Sequence, residues 1–139
     1  MKVAVYGYEK YDQRFFGKGL KELVGEDNVK YLPVNLLHAT TDLAKDCDAV
    51  CIFVNDCADA TVIASLAQLG VKLLLLRSAG FNHVDLEAAA AAGISVRRVP
   101  VYSPYAVAEM AVGLLLSVVR KLPRSYNRVR EHNFSISGL

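Results

Sequence analysis

The first hundred residues alternate short apolar runs with segments of helical spacing. Residues 2–6 predict a first strand. Residues 12–24 predict a helix, with Phe15, Phe16, Leu20, Leu23 and Val24 recurring at helical intervals. Residues 29–33 read as a weak second strand, and 41–45 as a short helix capped by Thr40 or Thr41. The run AVCIFV over 49–54 is a continuous apolar strand, followed by a helix over 59–69 that Gly70 stops. KLLLL over 72–76 is the fourth strand. Asp85 caps a helix over 86–92 that Gly93 stops, and 94–99 is the fifth strand. Strands apolar throughout and separated by helices imply a parallel sheet covered on both faces. Right-handed crossovers then give an α/β, doubly wound, flavodoxin-like fold with strand order 2-1-3-4-5.

The pattern changes after residue 101. Ser103-Pro104 opens a long helix with proline at its first position, running to about Lys121. Its apolar residues, from Val107 through Met110, Leu114 and Leu115 to Val119, surround the helix instead of forming one stripe. A helix apolar all round is covered on more than one side. One face is expected on the sheet and the other against a second subunit or another domain. A basic segment after Pro123, with Arg124, Arg128 and Arg130, predicts another short helix. The organisation expected is a sheet domain over 1–101 and a separate helical segment over 102–139.

Composition narrows the class. Apolar residues make up 53% of the 139, so a packed core is expected and disorder is not. The net charge of +2 is spread along the chain, and Arg97-Arg98 is only a pair, which gives no nucleic-acid stripe. The apolar start is too short for a signal-peptide core, and 110–119 is too short to span a bilayer, so a cytoplasmic protein without membrane or nucleic-acid partners is expected. Cys47, Cys51 and Cys57 contain no C-x-x-C pair and read as buried or incidental free thiols. Asn133-Phe134-Ser135 matches a glycosylation pattern that has no meaning in the cytoplasm.

In open α/β sheets ligands bind beyond the carboxyl ends of the strands. That rule selects the loops 7–11, 53–56, 77–83 and 100–103. In the third, Ser78, Ala79 and Gly80 are small enough for a ligand to approach the backbone, and successive N–H groups there suit a carboxylate. An ordinary strand-to-helix turn would look the same. His83 is either an acid–base group or a structural histidine. Pro100 and Pro104 stiffen the segment that carries Tyr102, which either orients a carboxylate or carbonyl or packs over the sheet edge. Gly17-Lys18-Gly19 falls inside a helical pattern and lacks a third glycine, and no G-x-G-x-x-G, P-loop, H-E-x-x-H or G-x-S-x-G is present. A response-regulator receiver would use Asp56 as phosphoacceptor, but the acidic pair and the later lysine that it needs are missing. No metal site is expected.

Several ordered motifs resemble one family. Arg77-Ser78-Ala79-Gly80-Phe81-Asn82-His83-Val84-Asp85 is similar to the catalytic-domain signature of D-2-hydroxyacid dehydrogenases of the fermentative D-lactate type. Val99-Pro100-Val101-Tyr102-Ser103-Pro104-Tyr105-Ala106-Val107-Ala108-Glu109 resembles the segment that follows it. The run from Val50 to Asp56, Tyr11-Asp12 with Phe15-Phe16, and Arg128-Val129-Arg130 with Asn133-Phe134-Ser135 also fit in order. The resemblance implies an NAD-dependent oxidoreductase acting on a small 2-keto or 2-hydroxy acid, with 1–101 as its substrate-binding domain, 102–139 as a crossover and dimerisation helix and linker toward an NAD-binding Rossmann domain, and a homodimer through residues 104–120. It implies that the backbone amides of Ala79 and Gly80 hold the substrate carboxylate, that Tyr102 contacts the substrate, that Phe53 lines its side-chain pocket and that Val107 touches the nicotinamide. Met110 departs from the pattern, where relatives often carry histidine. The family's catalytic Arg, Glu and His and its glycine fingerprint belong to a later NAD-binding domain, so no catalytic residue is expected in this chain and the chain alone is expected to be inactive. A carboxylate-binding or dimerisation module without catalysis is the alternative.

Overall fold

The computed structural model describes residues 1–138, with Gln13 described by its backbone alone. Five parallel strands, β1 (Val3–Val5), β2 (Val29–Tyr31), β3 (Ala49–Ile52), β4 (Leu73–Leu76) and β5 (Ser95–Arg98), form one sheet in the order β2-β1-β3-β4-β5. The predicted order and hand-over between elements are therefore observed. The helices are α1 (Lys10–Asp12), α2 (Lys18–Val24), α3 (Ala60–Gln68), α4 (Leu86–Ala91), α5 (Pro104–Val119) and α6 (Leu122–Arg130). The chain divides into two compact units, Met1–Pro100 and a second beginning at Val101.

Strand alternation builds two cores. Successive side chains point to opposite faces. Ala4, Val50, Ile52, Leu74 and Leu76 pack on one face with Val62, Ile63 and Leu66 of α3 and Ala89 of α4. Val3, Val5, Ala49 and Cys51 pack on the other with Leu20 of α2, joined by Phe16 and Val24. The central strands β1 and β3 are buried along their whole length, which accounts for their unbroken apolar sequence. Each fully buried Leu or Ile contributes about 1.5–3 kcal/mol through burial.

Local chemistry sets the ends of the elements. Asp59 accepts a hydrogen bond from the Val62 N–H at 2.9 Å and Asp85 from the Ala88 N–H at 2.9 Å, so both carboxylates cap helix N-termini. The helices α3 and α4 then run out just ahead of Gly70 and Gly93, as the sequence predicts. Strand β3 ends at Ile52, two residues early, because the Phe53 N–H turns to the Asp56 carboxylate. Strand β2 ends before Pro33, which has no N–H to continue a ladder. The expected helix over 41–45 is a 3-10 segment, His38–Ala44, that begins earlier because the Thr40 hydroxyl accepts the Leu37 N–H.

Two expectations are corrected. The helix expected over 12–24 is interrupted by a π-helical turn, Gln13–Gly17. A π-turn inserts an extra residue and rotates the apolar face. Spacing counted across it fails, and Phe15 and Leu23 are 78% and 84% exposed while Phe16 and Leu20 pack inward. Strand β5 is not buried on both faces. It is an edge strand in which only Val96 is partly covered. Within the second unit α5 packs on α6, and none of its residues is buried. No helix among the described residues is long and apolar enough to cross a membrane.

Cys47, Cys51 and Cys57 are free. Burial in the sheet pushes the Cys51 thiol up from 9.0 to about 11, with Arg77 partly opposing the shift. An acid whose folded value is raised keeps its proton in the fold after the unfolded chain has lost it. Unfolding then releases a proton between the two values, so stability is full below about pH 9 and declines as pH rises toward about 11. Urea midpoints measured across that window should fall, and Cys51→Ala should flatten the decline. Under native conditions at neutral pH, iodoacetamide should label the partly exposed Cys57 well ahead of Cys51.

Candidate functional site

The carboxyl ends of β1, β3 and β4 converge on one polar cluster. The chain leaves β1 through Tyr6 and Gly7. Tyr6 is fully buried and donates its hydroxyl to the Thr40 carbonyl at 2.8 Å, fastening the 3-10 segment to the sheet. Gly7 adopts φ +55, and a Cβ there would lie 3.3 Å from Asn35 Oδ1 and 3.8 Å from both Arg77 Nη2 and Asp56 Oδ1. The left-handed φ favours glycine at this point, and a Cβ there would press closely only on the Asn35 side chain.

Asp56, at the exit of β3, is 3% exposed. Its Oδ1 accepts the Leu36 N–H at 2.7 Å and its Oδ2 the Phe53 N–H at 2.5 Å. Both oxygens are committed to backbone donors, which makes Asp56 a clamp between two loops and leaves no exposed carboxylate for phosphorylation. Arg77, at the exit of β4, reaches across to the other strands. Its Nη2 donates to the Tyr6 carbonyl at 2.6 Å, and its Nη1 pairs with Asp12 Oδ2 at 2.8 Å. Its guanidinium lies 5.2 Å from the centroid of the Phe53 ring. Beside this cluster a recess of about 150 Å³ is lined by Gly7, Tyr8, Pro33, Asn35, Phe53 and Asp56. Phe53 thus stands between the recess and the arginine.

The loop after Arg77 is held from inside and from outside. The Ser78 hydroxyl donates to the Gly80 carbonyl at 2.8 Å. The Val99 N–H donates to the Ser78 carbonyl at 3.2 Å, and Arg98 Nη1 donates to the carbonyls of Ala79 at 3.0 Å and Pro100 at 3.2 Å. Arg98 also lies over the Phe81 ring, 5.2 Å from its centroid. The carbonyls of this turn are therefore tied down. Among the described residues, the N–H groups of Ala79 and Gly80 donate no hydrogen bond. Gly80 shows no left-handed φ and no atom where its Cβ would be, so nothing within the chain demands glycine there.

The remaining candidates are differently placed. The His83 carbonyl accepts the Ala58 N–H at 2.9 Å beside the bridge between Ala58 and Val84, and its Nε2 is buried without a partner among the described residues. Tyr102 and Val107 belong to the second unit, are 76% and 66% exposed, and line a shallow apolar groove with Ala106, Met110 and Leu114. Among the described residues no cluster of three or more His, Cys, Asp or Glu side chains could hold a metal ion.

Sequence reasoning did not assign roles to Asp12, Arg77 and Arg98, and it weighed Asp56 only as a phosphoacceptor. One signal was available. An arginine that directly follows KLLLL is a charge at the end of a buried strand, and such a charge needs a partner. Nothing in the spacing identified that partner as Asp12, 65 positions earlier.

Comparison with known proteins agrees with this arrangement. The family model for the D-isomer specific 2-hydroxyacid dehydrogenase catalytic domain matches residues 3–135. A 2-hydroxyacid dehydrogenase homolog of Zymomonas mobilis is 51% identical over the whole chain, and the D-lactate dehydrogenase of Escherichia coli is 43% identical. The chain spans 41% and 42% of those two proteins. Among solved structures, the pyruvate reductase of Chlamydomonas reinhardtii superposes with a TM-score of 0.81 at 42% identity, over all of this chain and 40% of its own. The D-lactate dehydrogenase of Aquifex aeolicus, complexed with NAD and lactic acid, gives 0.84 at 28% identity, over 99% of this chain and 39% of its own. With the strand order, the loop motifs and the family match in agreement, the chain belongs to the D-isomer specific 2-hydroxyacid dehydrogenase family.

Proposed function

We propose that these residues form the substrate-binding portion of an NAD-dependent D-2-hydroxyacid dehydrogenase that interconverts pyruvate and D-lactate in its complete form. The observation that carries this reading is the pair of unpartnered amides at Ala79 and Gly80, at the carboxyl edge of the sheet beside Phe53 and Arg77. Two adjacent N–H groups in a turn whose carbonyls are already bonded suit a carboxylate, which accepts and never donates. Phe53 lines the side-chain pocket, and the bulk of its ring favours a small substrate. The Tyr102 hydroxyl contacts the substrate, and Val107 meets the nicotinamide.

NAD, when bound, supplies or accepts the hydride. Among the described residues no turn has the glycine spacing that receives a pyrophosphate, so this chain fits the edge of the cofactor through Val107 and not its phosphates. The groups that hold the nucleotide and move the proton lie, in this proposal, in the remainder of the enzyme. The free thiols suit a reducing, cytoplasmic setting.

Absorbance of NADH with pyruvate should fall when the full-length protein is present and stay constant with residues 1–139 alone. Turnover by the 139-residue chain would instead show that it carries its own cofactor site and acid. In the full-length enzyme Tyr102→Phe removes one hydrogen bond to a charged substrate, about 1.5–3 kcal/mol, and should lower kcat/KM about ten- to hundredfold.

The uncovered surface of α5 supports a second element of the reading, a homodimer through residues 104–120. Leu115 is 62% exposed on that helix. Leu115→Glu should shift the full-length protein toward monomer in sedimentation velocity while leaving the sheet intact by circular dichroism. A wild-type protein that sediments as a single monomeric species would remove the dimer from the proposal.

A further inference from the structure

Arg77 is used more heavily than any other side chain in the cluster. Its Nη2 bonds the Tyr6 carbonyl at 2.6 Å and the Gly7 carbonyl at 3.4 Å, at the end of β1. Its Nη1 pairs with Asp12 of α1 at 2.8 Å, and the same Asp12 Oδ2 accepts the Glu9 N–H at 2.9 Å. Its planar group stacks near Phe53, at the end of β3. The two charged side chains are only 13% and 10% exposed. The residue itself immediately precedes Ser78, Ala79 and Gly80.

A buried ion pair is a poor way to gain stability, because desolvating both charges offsets most of their attraction. What a guanidinium offers that an apolar pair does not is a rigid plane with several donors in fixed directions. Here those directions reach β1 and α1, and the guanidinium carbon lies over the Phe53 ring. We infer that Arg77 and Asp12 are a positioning pair for the substrate site, which sets the orientation of the Phe53 ring and the start of the Ala79–Gly80 loop. The inference rests on the function proposed for those residues. It adds that selectivity for the substrate side chain depends on a residue pair that does not itself touch substrate.

The test uses the full-length protein with two conservative variants. Arg77→Lys keeps the charge and loses the planar fork. Asp12→Asn keeps the shape and loses the charge. Arg77→Lys should raise KM for pyruvate about tenfold, leave KM for NADH within about twofold, and change the pyruvate to 2-oxobutyrate ratio of kcat/KM by about threefold or more. Asp12→Asn should act in the same direction. By hydrogen–deuterium exchange, residues 53–56 and 78–85 should exchange faster in both variants, with α3 unchanged.

A rise in KM that is equal for both keto acids and for NADH overturns the inference, as does a loss of thermal stability with kinetics unchanged. Unchanged exchange in both loops also overturns it. If the wild-type protein reduces no 2-keto acid, the proposed function fails, and the exchange comparison still decides whether the pair holds the loops.

Discussion

The arrangement of the first unit turns on one buried contact, the ion pair between Arg77 and Asp12. Each charge would be costly in this position alone, and leaving either partner unpaired costs about 3–5 kcal/mol in comparable buried pairs. The two Nη groups of the guanidinium account for several neighbouring features at once. The Tyr6 carbonyl, just past the end of β1, is turned to it. Gly7, with its left-handed φ, turns the chain away from β1 beside it. The helical segment at Lys10–Asp12 sits where it does because Asp12 must reach the sheet edge. Phe53 fills the remaining face. Asp56 does parallel work one strand away, where two backbone N–H groups satisfy a carboxylate and hold the exits of β2 and β3 together.

Much of the fold could be read from local pattern because local pattern causes it. The cap Asp85 and the two stops, Gly70 and Gly93, bound α4 and end α3 as predicted, and Asp59, expected as the first helical residue, caps α3. The apolar runs at β1, β3 and β4 gave the sheet and its parallel order. The misreadings occur where an element depends on something distant or unusual. A π-turn rotated the first helical face, and periodicity has no way to register an inserted residue. The strand β3 ended on a side-chain acceptor three positions ahead, which apolarity does not report. The positions of the candidate loops were legible from the sheet topology, whereas their polar framework of Arg77, Asp12 and Arg98 was not. Those contacts join residues far apart in sequence, and charge alone does not announce its partner.

The second unit obeys a different constraint. A surface helix normally separates apolar from polar residues. In α5 the apolar residues go all the way round, and every one of them is exposed in the single chain. The amphipathic α6 beside it, with Leu122, Tyr126 and Val129 at helical spacing, covers little of it. The hydrophobic pattern of residues 104–119 is that of an interior element. The chain spans about two fifths of the length of the curated relatives it matches.

The span of the Arg77 contact has a kinetic consequence. The guanidinium binds a carbonyl 71 positions away in the chain. Closing so long a loop carries an entropic penalty that must be met before the contact returns anything. Strands β1 and β2 and the helix between them can associate early, but the cluster at their carboxyl ends has no centre until β4 has docked beside β3. During synthesis the same holds in time, since the first two strands emerge long before the arginine. The polar cluster around Arg77 is therefore complete only in the finished sheet, and a ligand that depends on it distinguishes that sheet from its partly assembled precursors.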